Sequence, residues 1–324
     1  MNSKEAVLQQ LREHRGNYIS GENLAGQLDI SRAAIWKAVD TLRTQGYQIE
    51  SKSHQGYRLI KETNELYCDS ILSLLDRRER EKITLKVFDT IDSTNSEAKR
   101  LLAAGCQTDT VVIARSQSEG RGRLGRSFFS PDRSGLYLSY IIKEALELQK
   151  ALLVTSAAAV AVTRAIEKSF SIPVQIKWVN DIYKEGKKIA GILTEGTSNF
   201  ENGRMESIIV GIGINLFPPR GGFPDHLKEI ASSLFEHEKE VMNDFASCLI
   251  SELSAVLFDL EDPSIMKEYR EHSFVLDTDV SVITGNESYD AHVTDIDNDG
   301  SLIVKDEKGE IHRLNSGEIS IRKK

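Results

Sequence analysis

The residues best suited to chemistry lie in one seven-residue segment, residues 120–126, with the sequence GRGRLGR. Its three glycines allow the backbone to approach a ligand closely and to adopt positive φ angles. Its three arginines offer forked hydrogen-bond donors that bind phosphate or carboxylate groups through two contacts at once. The segment therefore predicts a flexible loop that folds over an anionic ligand.

Two other interpretations of this segment are weaker. Its glycines also spell G-x-G-x-x-G, the dinucleotide-binding fingerprint, which requires a strand before it and a helix that starts within it. Residues 110–114 predict the strand, but residues 127–132 show no helical pattern and residues 136–142 predict another strand. An ordinary solvated loop carries scattered polar residues rather than alternating glycine and arginine. An anion-binding loop is therefore the favoured interpretation.

The length and charge of the chain indicate what surrounds this loop. A chain of 324 residues predicts two or three domains. The net charge is −8, but residues 1–60 carry eight lysines and arginines against six acidic residues, so this part is at +2 and the remainder at −10. A basic N-terminal region on an acidic body is typical of an N-terminal DNA-binding module.

The spacing of the cysteines and the hydropathy of the chain indicate its cellular location and whether it binds zinc. Cys68, Cys106 and Cys248 lack C-x-x-C spacing, which argues against a disulfide framework or a zinc site and favours a reducing cytoplasm. Residues 1–20 lack the apolar core of a signal peptide. The longest apolar stretch, residues 151–166, is short and interrupted by polar residues, so we expect a buried helix and no membrane association.

The first sixty residues predict a winged helix. Three helical patterns follow one another, and a short turn separates the second from the third, as in a helix-turn-helix. Ser20 and Ser31 are placed to cap the second and third helices. Residues 47–59 then predict a β-hairpin with a basic tip. The third helix has one apolar stripe that should be buried, formed by Ile35, Ala38, Val39 and Leu42.

The opposite face of the third helix and the hairpin are predicted to contact DNA. The helix has a suitable size for a major groove, and the basic residues of the hairpin suit phosphate contacts. The predicted DNA-binding residues are Ser31, Arg32, Ala33, Trp36, Lys37, Lys52, His54 and Arg58. Trp36 could instead support the hairpin, and the alternative for the whole module is a small helical domain with an ordinary solvated face.

In the central part of the chain, polar residues gather where a strand gives way to a helix. Residues 85–88 predict the strand, and Thr94 with Glu97 forms a capping-box pattern for the helix. Residues 93–95 (Ser-Thr-Asn) either present hydroxyls, an amide and free backbone N–H groups to a small ligand or merely cap the helix. Residues 61–67 predict a polar linker ahead of this region.

Further strands are predicted at residues 174–178, 189–194 and 207–216. The last of these contains Gly211 and Gly213. Glycine within a strand marks either the close approach of a ligand or tight packing against other protein atoms, and the sequence alone does not choose between the two.

The last fifty residues predict a small β-barrel, because short β patterns alternate with turn signals such as Gly300 and Gly309. Residues 295–300 begin like an EF-hand loop. However, position twelve is Asp306 rather than glutamate, and strands rather than helices flank the segment. We therefore expect a hairpin turn here and no metal site.

These motifs occur together in the order found in biotin protein ligases. The shared segments are residues 93–95, Gln117 with the loop at 120–126, residues 177–181 (KWVND), 188–192 (KIAGI) and 211–215 (GIGIN). With its winged helix, the chain resembles, over nearly all of its length, the biotin ligases that also repress the biotin operon. Val179 is one departure, since family members commonly have proline there; valine removes a rigid φ angle but no chemical group.

The resemblance implies an α+β fold of three domains. These are a winged helix-turn-helix domain at 1–63, a central α/β biotin/lipoate-ligase (class II synthetase-like) catalytic domain at 64–271, and a C-terminal SH3-like β-barrel at 272–324. It implies formation of biotinyl-5′-AMP from biotin and ATP with Mg²⁺, and transfer of biotin to a lysine of a biotin carboxyl carrier protein. It also implies binding to operator DNA of biotin genes, with the adenylate as corepressor and a homodimer as the adenylate-bound form.

The resemblance also assigns roles to individual residues. The implied catalytic residues are Lys188, Arg121, Arg123 and Asp181. The implied biotin-binding residues are Ser93, Thr94, Asn95, Gln117, Arg121, Gly122, Arg123, Lys188 and Gly191, with Trp178 lining the pocket. The implied nucleotide-binding residues are Arg123, Arg126, Phe128, Asn180, Asn215 and Arg322.

Three alternatives stay open at this point. The first is a ligand-sensing transcription factor without ligase activity, against which the intact Arg121, Arg123 and Lys188 argue. The second is a lipoate or octanoyl ligase, a class that shares the catalytic fold but lacks the glycine-arginine loop. The third is a biotin ligase that does not act as a repressor.

Overall fold

The computed structural model describes residues 3–143, 146–147, 150–199, 204–284, 287–315 and 318–321. The chain forms two compact units, which are Met1–Glu81 with Lys239–Cys248, and Lys82–Glu238 with Leu249–Lys324. These units differ from the ranges 1–63, 64–271 and 272–324, which stay a prediction.

The first unit contains the predicted winged helix. The hydroxyl oxygens of Ser20 and Ser31 accept hydrogen bonds from the backbone N–H groups of Asn23 and Ala34, at 3.0 and 3.1 Å, so both predicted caps are confirmed. The hairpin strands pair in antiparallel fashion. The elements are α1 (Ser3–Glu13), α2 (Gly21–Leu28), α3 (Arg32–Thr44), β1 (Gln48–Lys52), β2 (Gly56–Lys61), α4 (Cys68–Leu74) and α5 (Arg77–Lys82).

The apolar stripe of α3 forms the centre of this unit. Ile35, Ala38, Val39 and Leu42 are all buried, as predicted, and they pack in one cluster with apolar residues of α1, α2 and both hairpin strands. The stripe holds α3 against the other helices and leaves its opposite face exposed.

The predicted linker at residues 61–67 is packed rather than free. Glu62 and Thr63 are buried, and the Glu62 carboxylate accepts two hydrogen bonds of 3.0 Å from the Arg12 guanidinium on α1. Farther along, the backbone N–H of Tyr67 donates to the Asn243 side chain. The linker prediction was wrong because a charged residue can be buried when a distant partner satisfies it.

The second unit is built on an eight-stranded sheet with the order β3-β4-β5-β10-β9-β8-β7, and β6 pairs with β10. β3 and β4 run parallel, while the other neighbours are antiparallel. This topology is not the parallel sheet of a dinucleotide-binding fold. Its elements are β3 (Thr84–Ile91), α6 (Thr94–Ala103), β4 (Thr110–Gln117), β5 (Gly135–Ile142), β6 (Leu146–Glu147), α7 (Ala151–Phe170), β7 (Gln175–Lys177), β8 (Asp181–Lys184), β9 (Lys187–Asn199), β10 (Arg204–Asn215), α8 (Met242–Phe258), which begins in the first unit, and α9 (Pro263–His272).

The start of α6 differs from the predicted capping box. Ser93 occupies the N-cap position without a side-chain cap hydrogen bond, and Thr94 is already the first helical residue. The Thr94 hydroxyl instead donates to Gln117 Oε1 at 3.1 Å, and Glu97 pairs with Arg100. The capping-box prediction was wrong because Gln117, 23 residues away, engages the Thr94 hydroxyl, while Arg100, one turn along the same helix, engages the Glu97 carboxylate.

The apolar stretch at residues 151–166 lies within α7, and most of its residues are fully buried, as predicted. Among the described residues, no helix combines the length and the apolar character that a membrane crossing requires. The helix therefore serves as core beneath the sheet strands that it contacts, β8, β9 and β10.

A second, five-stranded antiparallel sheet follows α9, in the order β14-β13-β12-β11-β15. It fits the expected SH3-like domain. The turn after β12 is a hairpin turn, as predicted, with a hydrogen bond of 2.8 Å from the Asp297 N–H to the Ser301 carbonyl. The strands are β11 (Asp279–Thr284), β12 (Glu287–Ile296), β13 (Leu302–Asp306), β14 (Ile311–Leu314) and β15 (Glu318–Ile321).

Candidate active site

A cavity of about 510 Å³ opens on the eight-stranded sheet of the second unit. It brings together residues that lie more than 100 positions apart in the sequence. The predicted biotin- and nucleotide-site residues that line it are Ser93, Thr94, Asn95, Gln117, Arg121, Gly122, Arg123, Arg126, Phe128, Trp178, Asn180, Asp181, Lys188, Gly191 and Asn215. The remaining predicted residue, Arg322, lies outside the described residues.

The glycine-arginine loop closes on itself as a tight turn beside this cavity. The backbone N–H of Gly122 donates to the carbonyl of Arg126 at 2.7 Å, and that of Phe128 donates to Gly120 at 2.8 Å. Gly120 has to be glycine, because a Cβ atom there would overlap the carbonyl oxygen of Phe128. At the tip, Leu124 has a positive φ of 55° and a side chain that is 73% exposed.

Three cationic side chains converge on the cavity, each beside an oxygen-bearing partner. Arg123 Nη1 donates to Asn180 Oδ1 at 3.0 Å, and Lys188 Nζ lies 2.7 Å from Asp181 Oδ1. Arg121 Nη2 lies 3.6 Å from a carboxylate oxygen of Glu195. An anionic ligand can compete with these partners for the cations, so the arrangement suits phosphate and carboxylate binding.

A neutral hydrogen-bonding network occupies the other part of the cavity. Gln117 Oε1 accepts from the Thr94 backbone N–H at 2.8 Å and from its hydroxyl at 3.1 Å. Gln117 Nε2 donates to the Ser130 hydroxyl at 2.9 Å. Ser93, Thr94 and Asn95 are each less than 5% exposed. These fixed amide and hydroxyl groups can recognise an uncharged polar ligand by the direction of its hydrogen bonds.

Two residues of this network were missed by the sequence analysis, Ser139 and Glu195. The Ser139 hydroxyl is fully buried and lies 2.6 Å from Asn95 Oδ1, while Glu195 accepts a 2.9 Å hydrogen bond from Asn95 Nδ2. Lys99 also donates to Glu195, at 2.8 Å. Partial burial opposes ionisation of Glu195, but the bonds from Lys99 and Asn95 lower its pKa overall. A serine inside the apolar run GLYLSYII was the available signal for Ser139.

The two glycines of β10 make room for side chains of the site. A Cβ atom at Gly211 would overlap Asn95 Oδ1, and one at Gly213 would lie 2.5 Å from the Phe128 ring. The Phe128 ring also meets Tyr137 edge to face, at a centroid distance of 6.4 Å. Tight packing therefore requires glycine at both positions, and both glycines also line the cavity.

Residues 178–180, which follow β7, form hydrogen bonds with three distant parts of the second unit. Trp178 is 3% exposed and its indole Nε1 donates to the Gly300 carbonyl at 2.9 Å. The Trp178–Val179 peptide bond is cis. Asn180 Nδ2 donates to the Ile192 carbonyl at 2.8 Å, and the Tyr269 hydroxyl donates to the Val179 carbonyl at 3.0 Å.

Asn215 lies at the end of β10, with its Nδ2 donating to the Ser232 carbonyl at 3.1 Å. Beside it, Gly191 on β9 faces Lys188, whose Cε and Nζ would lie 3.1 Å from a Cβ atom at that glycine. The missing side chain at Gly191 therefore leaves room for Lys188, and Asn215 is fixed by its hydrogen bond to Ser232.

In the first unit, the predicted DNA-binding residues lie on α3 and on the hairpin, and all but the partly exposed Arg58 are exposed. Ser31 caps α3, and the exposed side chains that follow it along the helix are Arg32, Ala33, Trp36 and Lys37. Trp36 is 61% exposed, which favours contact with DNA over support of the hairpin. The hairpin adds Lys52, His54 and Arg58.

Two arginines among these residues already have carboxylate partners. Arg32 pairs with Glu22 at 2.7 Å, and Arg58 pairs with Glu50 at 2.7 Å. The Arg58 guanidinium also lies over the Tyr18 ring, 4.6 Å from its centroid. Both ion pairs are solvent-accessible, so DNA phosphates can compete for these arginines.

Comparison with known proteins matches all three parts of the chain. Residues 87–215 match the Biotin/lipoate A/B protein ligase family, residues 4–58 an HTH domain, and residues 276–322 the Biotin protein ligase C terminal domain. The chain is 34% identical to the bifunctional ligase/repressor BirA of Bacillus spizizenii, over 94% of each protein. It is 30% identical to the Escherichia coli protein of the same name, over 95% of this chain and 94% of that one.

Among solved structures, the biotin protein ligase of Aquifex aeolicus in complex with biotin and ATP is similar with a TM-score of 0.60. It is 26% identical and covers 74% of this chain and 99% of its own. The chain therefore belongs to the biotin/lipoate A/B protein ligase family. Within that family it is a biotin protein ligase of the bifunctional ligase/repressor type, because the similarity to those proteins spans nearly the whole chain and includes the HTH domain.

Proposed function

We propose that this protein forms biotinyl-5′-AMP from biotin and ATP and passes the biotinyl group to a lysine of a biotin carboxyl carrier protein. The observation that carries this proposal is the meeting of Arg121, Arg123 and Lys188 at one cavity with a neutral hydrogen-bonding network. The network suits the uncharged ureido ring of biotin, held by residues 93–95 and Gln117. The cations suit a carboxylate and a triphosphate.

The first step has to bring two anions together. A carboxylate oxygen of biotin attacks the α-phosphorus, a new P–O bond forms, and the bond to the β-phosphate oxygen breaks as pyrophosphate leaves. Positive side chains whose contacts strengthen as charge shifts lower this barrier. We assign Arg121 and Arg123 to the carboxylate and the α-phosphate, Lys188 to the oxygens between them, and Arg126 to the departing pyrophosphate.

The second step is aminolysis of the mixed anhydride. The acceptor amine attacks the carbonyl carbon, a C–N bond forms, the C–O bond to AMP breaks, and the amine loses a proton. Asp181 lies at the cavity beside Lys188, and we assign it to orienting the incoming amine and accepting that proton. Closure of the loop at residues 120–126 protects the anhydride from water before transfer.

We propose that the nucleotide lies beside Phe128, Asn180 and Asn215, which line one cavity with the cationic loop. Mg²⁺ bound to the triphosphate would neutralise phosphate charge. The carboxylate of Asp181 and the amide oxygen of Asn180 are hard oxygen donors that would hold such an ion once Lys188 and Arg123, their present partners, turn to the substrates. Among the described residues, the one group of three clustered metal-ligand side chains does not line the cavity; it consists of Asp306, Glu310 and His312.

We further propose that biotinyl-5′-AMP acts as corepressor, that the adenylate-bound protein is a homodimer, and that it binds operator DNA of biotin genes in the cytoplasm. The exposed face of α3 and the hairpin support DNA binding, and a dimer would match a palindromic operator. The scattered spacing of the three cysteines is compatible with a reducing compartment.

The test is to mix the protein with biotin, MgATP and a carrier domain, and to follow the mass of the carrier. The Lys188→Ala variant should lose about a hundredfold or more of the transfer rate. Lys187→Ala is the matched control, because the neighbouring Lys187 donates to the Lys228 carbonyl and does not line the cavity. Equal rates for the two variants would refute the role of Lys188.

Two further measurements separate the alternatives. A sensor without ligase activity shows no biotin-dependent exchange between ATP and pyrophosphate, and a lipoate or octanoyl ligase transfers an acyl chain whether or not biotin is present. A ligase that does not repress shows no adenylate-dependent binding to DNA upstream of biotin genes.

A further inference from the structure

The acidic turn between β12 and β13, residues 295–300, has no part in the proposed reaction, yet it is unusually well anchored. Arg270 on α9 donates to the Ile296 carbonyl at 2.7 Å and to Asn298 Oδ1 at 2.9 Å. Arg313 on β14 pairs with Asp297 at 2.8 Å and with Asp299 at 2.5 Å. Two of the carboxylates that imitate a calcium loop, Asp297 and Asp299, are therefore engaged by Arg313, while Arg270 holds the Ile296 carbonyl and the Asn298 amide.

The turn directs one backbone carbonyl at the wall of the cavity. The Gly300 carbonyl accepts the 2.9 Å hydrogen bond from the buried indole Nε1 of Trp178, and Trp178 lines the cavity. Ile283 and Ile319 of the same five-stranded sheet line the cavity as well. The C-terminal sheet thus contributes directly to the shape of the site.

Gly300 is the residue on which this contact depends. Its φ of +85° is one that glycine adopts without strain, and a Cβ atom there would lie 2.8 Å from Ser156 Oγ and 3.3 Å from Leu152 Cγ on α7. Gly309, in the next turn of the same sheet, has a similar φ of +89°, but its nearest neighbour, Lys305 Cε, lies at 3.7 Å. The two glycines share the backbone requirement and differ in packing.

We propose that the turn at residues 295–300 is a positioning element of the biotin site: through the Gly300 carbonyl it fixes the Trp178 ring against the cavity. The side chains of Arg270 and Arg313 act on the site through the turn and do not contact the substrate themselves. This inference rests on the proposed function only in that biotin is the ligand whose binding the ring affects.

The main experiment compares Gly300→Ala with Gly309→Ala in a Trp36→Phe background. The chain has two tryptophans, so Trp178 is then the sole source of indole fluorescence. Gly300→Ala should shift the Trp178 emission to longer wavelength and raise the KM for biotin by about five- to tenfold, with a smaller effect on kcat. Gly309→Ala should change neither quantity.

Further variants distinguish a loss of Trp178 positioning from a general loss of stability. Adding Ser156→Ala to Gly300→Ala removes the nearest clash and should restore part of the emission and of the KM. Trp178→Phe keeps an aromatic ring but loses the donor, so Gly300→Ala should raise the KM much less in that background than alone. If Gly300→Ala does not fold, Arg313→Gln, which releases two carboxylates of the turn, takes its place.

An unchanged emission and KM in a folded Gly300→Ala or Arg313→Gln variant would overturn the proposal, as would an equal effect of Gly300→Ala with and without Trp178. These outcomes can be distinguished from a failure of the proposed function, because in that case the wild-type protein itself would not transfer biotin. In that case the emission of Trp178 still decides whether the turn positions the ring.

Discussion

Glu195 offers the sharpest test of the neutral network, because its carboxylate supports two groups of the site. In Glu195→Ala, the nearly buried Asn95 Nδ2 retains only its long contact of 3.4 Å to the Leu193 carbonyl. An unsatisfied buried donor costs about 1–3 kcal/mol. Loss of the partly exposed pair with Lys99 adds about 0.2–1 kcal/mol. We therefore expect the free energy of unfolding to fall by about 1–4 kcal/mol.

The same change should weaken biotin binding. Without Glu195, the Asn95 amide can turn within the site, and a loss of about 1.4 kcal/mol in oriented hydrogen bonding raises the KM for biotin about tenfold. Glu195→Gln keeps an oxygen acceptor of the same length for Asn95 and loses only the charge, so its cost in stability should be about 1 kcal/mol or less. Urea unfolding and steady-state biotinylation measure the two effects.

Glu252 provides the matched control for this comparison. Its side chain is 14% exposed, against 21% for Glu195, and it also pairs with a lysine, Lys168, at 3.0 Å. Neither glutamate lines the cavity, but Glu195 accepts a hydrogen bond from Asn95, which does. Glu252→Ala should therefore cost about 1 kcal/mol at most and leave the KM for biotin unchanged. The reasoning about Asn95 is refuted if Glu195→Ala and Glu195→Gln show the same free energy of unfolding and the same KM for biotin. It is also refuted if both variants match Glu252→Ala in these two quantities.

Three further predictions follow from single contacts. Gly213→Ala should lower biotinylation severalfold or more, as measured by the rate of biotin transfer to the carrier domain, because its Cβ would press on the Phe128 ring. Hydrogen bonds from Arg100 lower the pKa of Asp92 from 3.8 to about 2, so the stability difference between wild type and Asp92→Asn should be present at neutral pH and vanish as the pH falls toward 2, as measured by urea unfolding. Lys37→Ala should weaken operator binding, reduce its dependence on salt and leave biotinylation unchanged, which gel-shift titrations at several salt concentrations would measure.

The sequence predicted those features that depend on neighbours along the chain. The caps at Ser20 and Ser31 and the buried stripe of α3 are set within a few residues, and both could be predicted from local spacing. The glycine-arginine loop was recognisable because three arginines and three glycines in seven residues are not explained by helix, strand or core requirements. The resemblance to biotin ligases then supplied the ligand, which no local rule provides.

The sequence failed where a side chain depends on a distant partner. Thr94 was predicted to cap its own helix, but its hydroxyl donates to Gln117, 23 residues away. Ser139 and Glu195 were missed because they act on Asn95 from 44 and 100 residues away. Glu62 was predicted to lie in a linker, but it is buried and its carboxylate accepts hydrogen bonds from Arg12, 50 residues away. Periodicity and propensity carry no information about such pairs.

If Arg32 and Arg58 contact DNA as we propose, their ion pairs with Glu22 and Glu50 affect the affinity of the protein for DNA. Each phosphate that recruits one of these arginines has to displace a tethered carboxylate, so random DNA gains less from the encounter than the number of arginines suggests. A site that also offers matching base edges to α3 recovers that loss. Under the proposed role in DNA binding, the acidic neighbours lower the affinity for DNA of any sequence, so the base contacts of α3 have to supply the affinity for the operator.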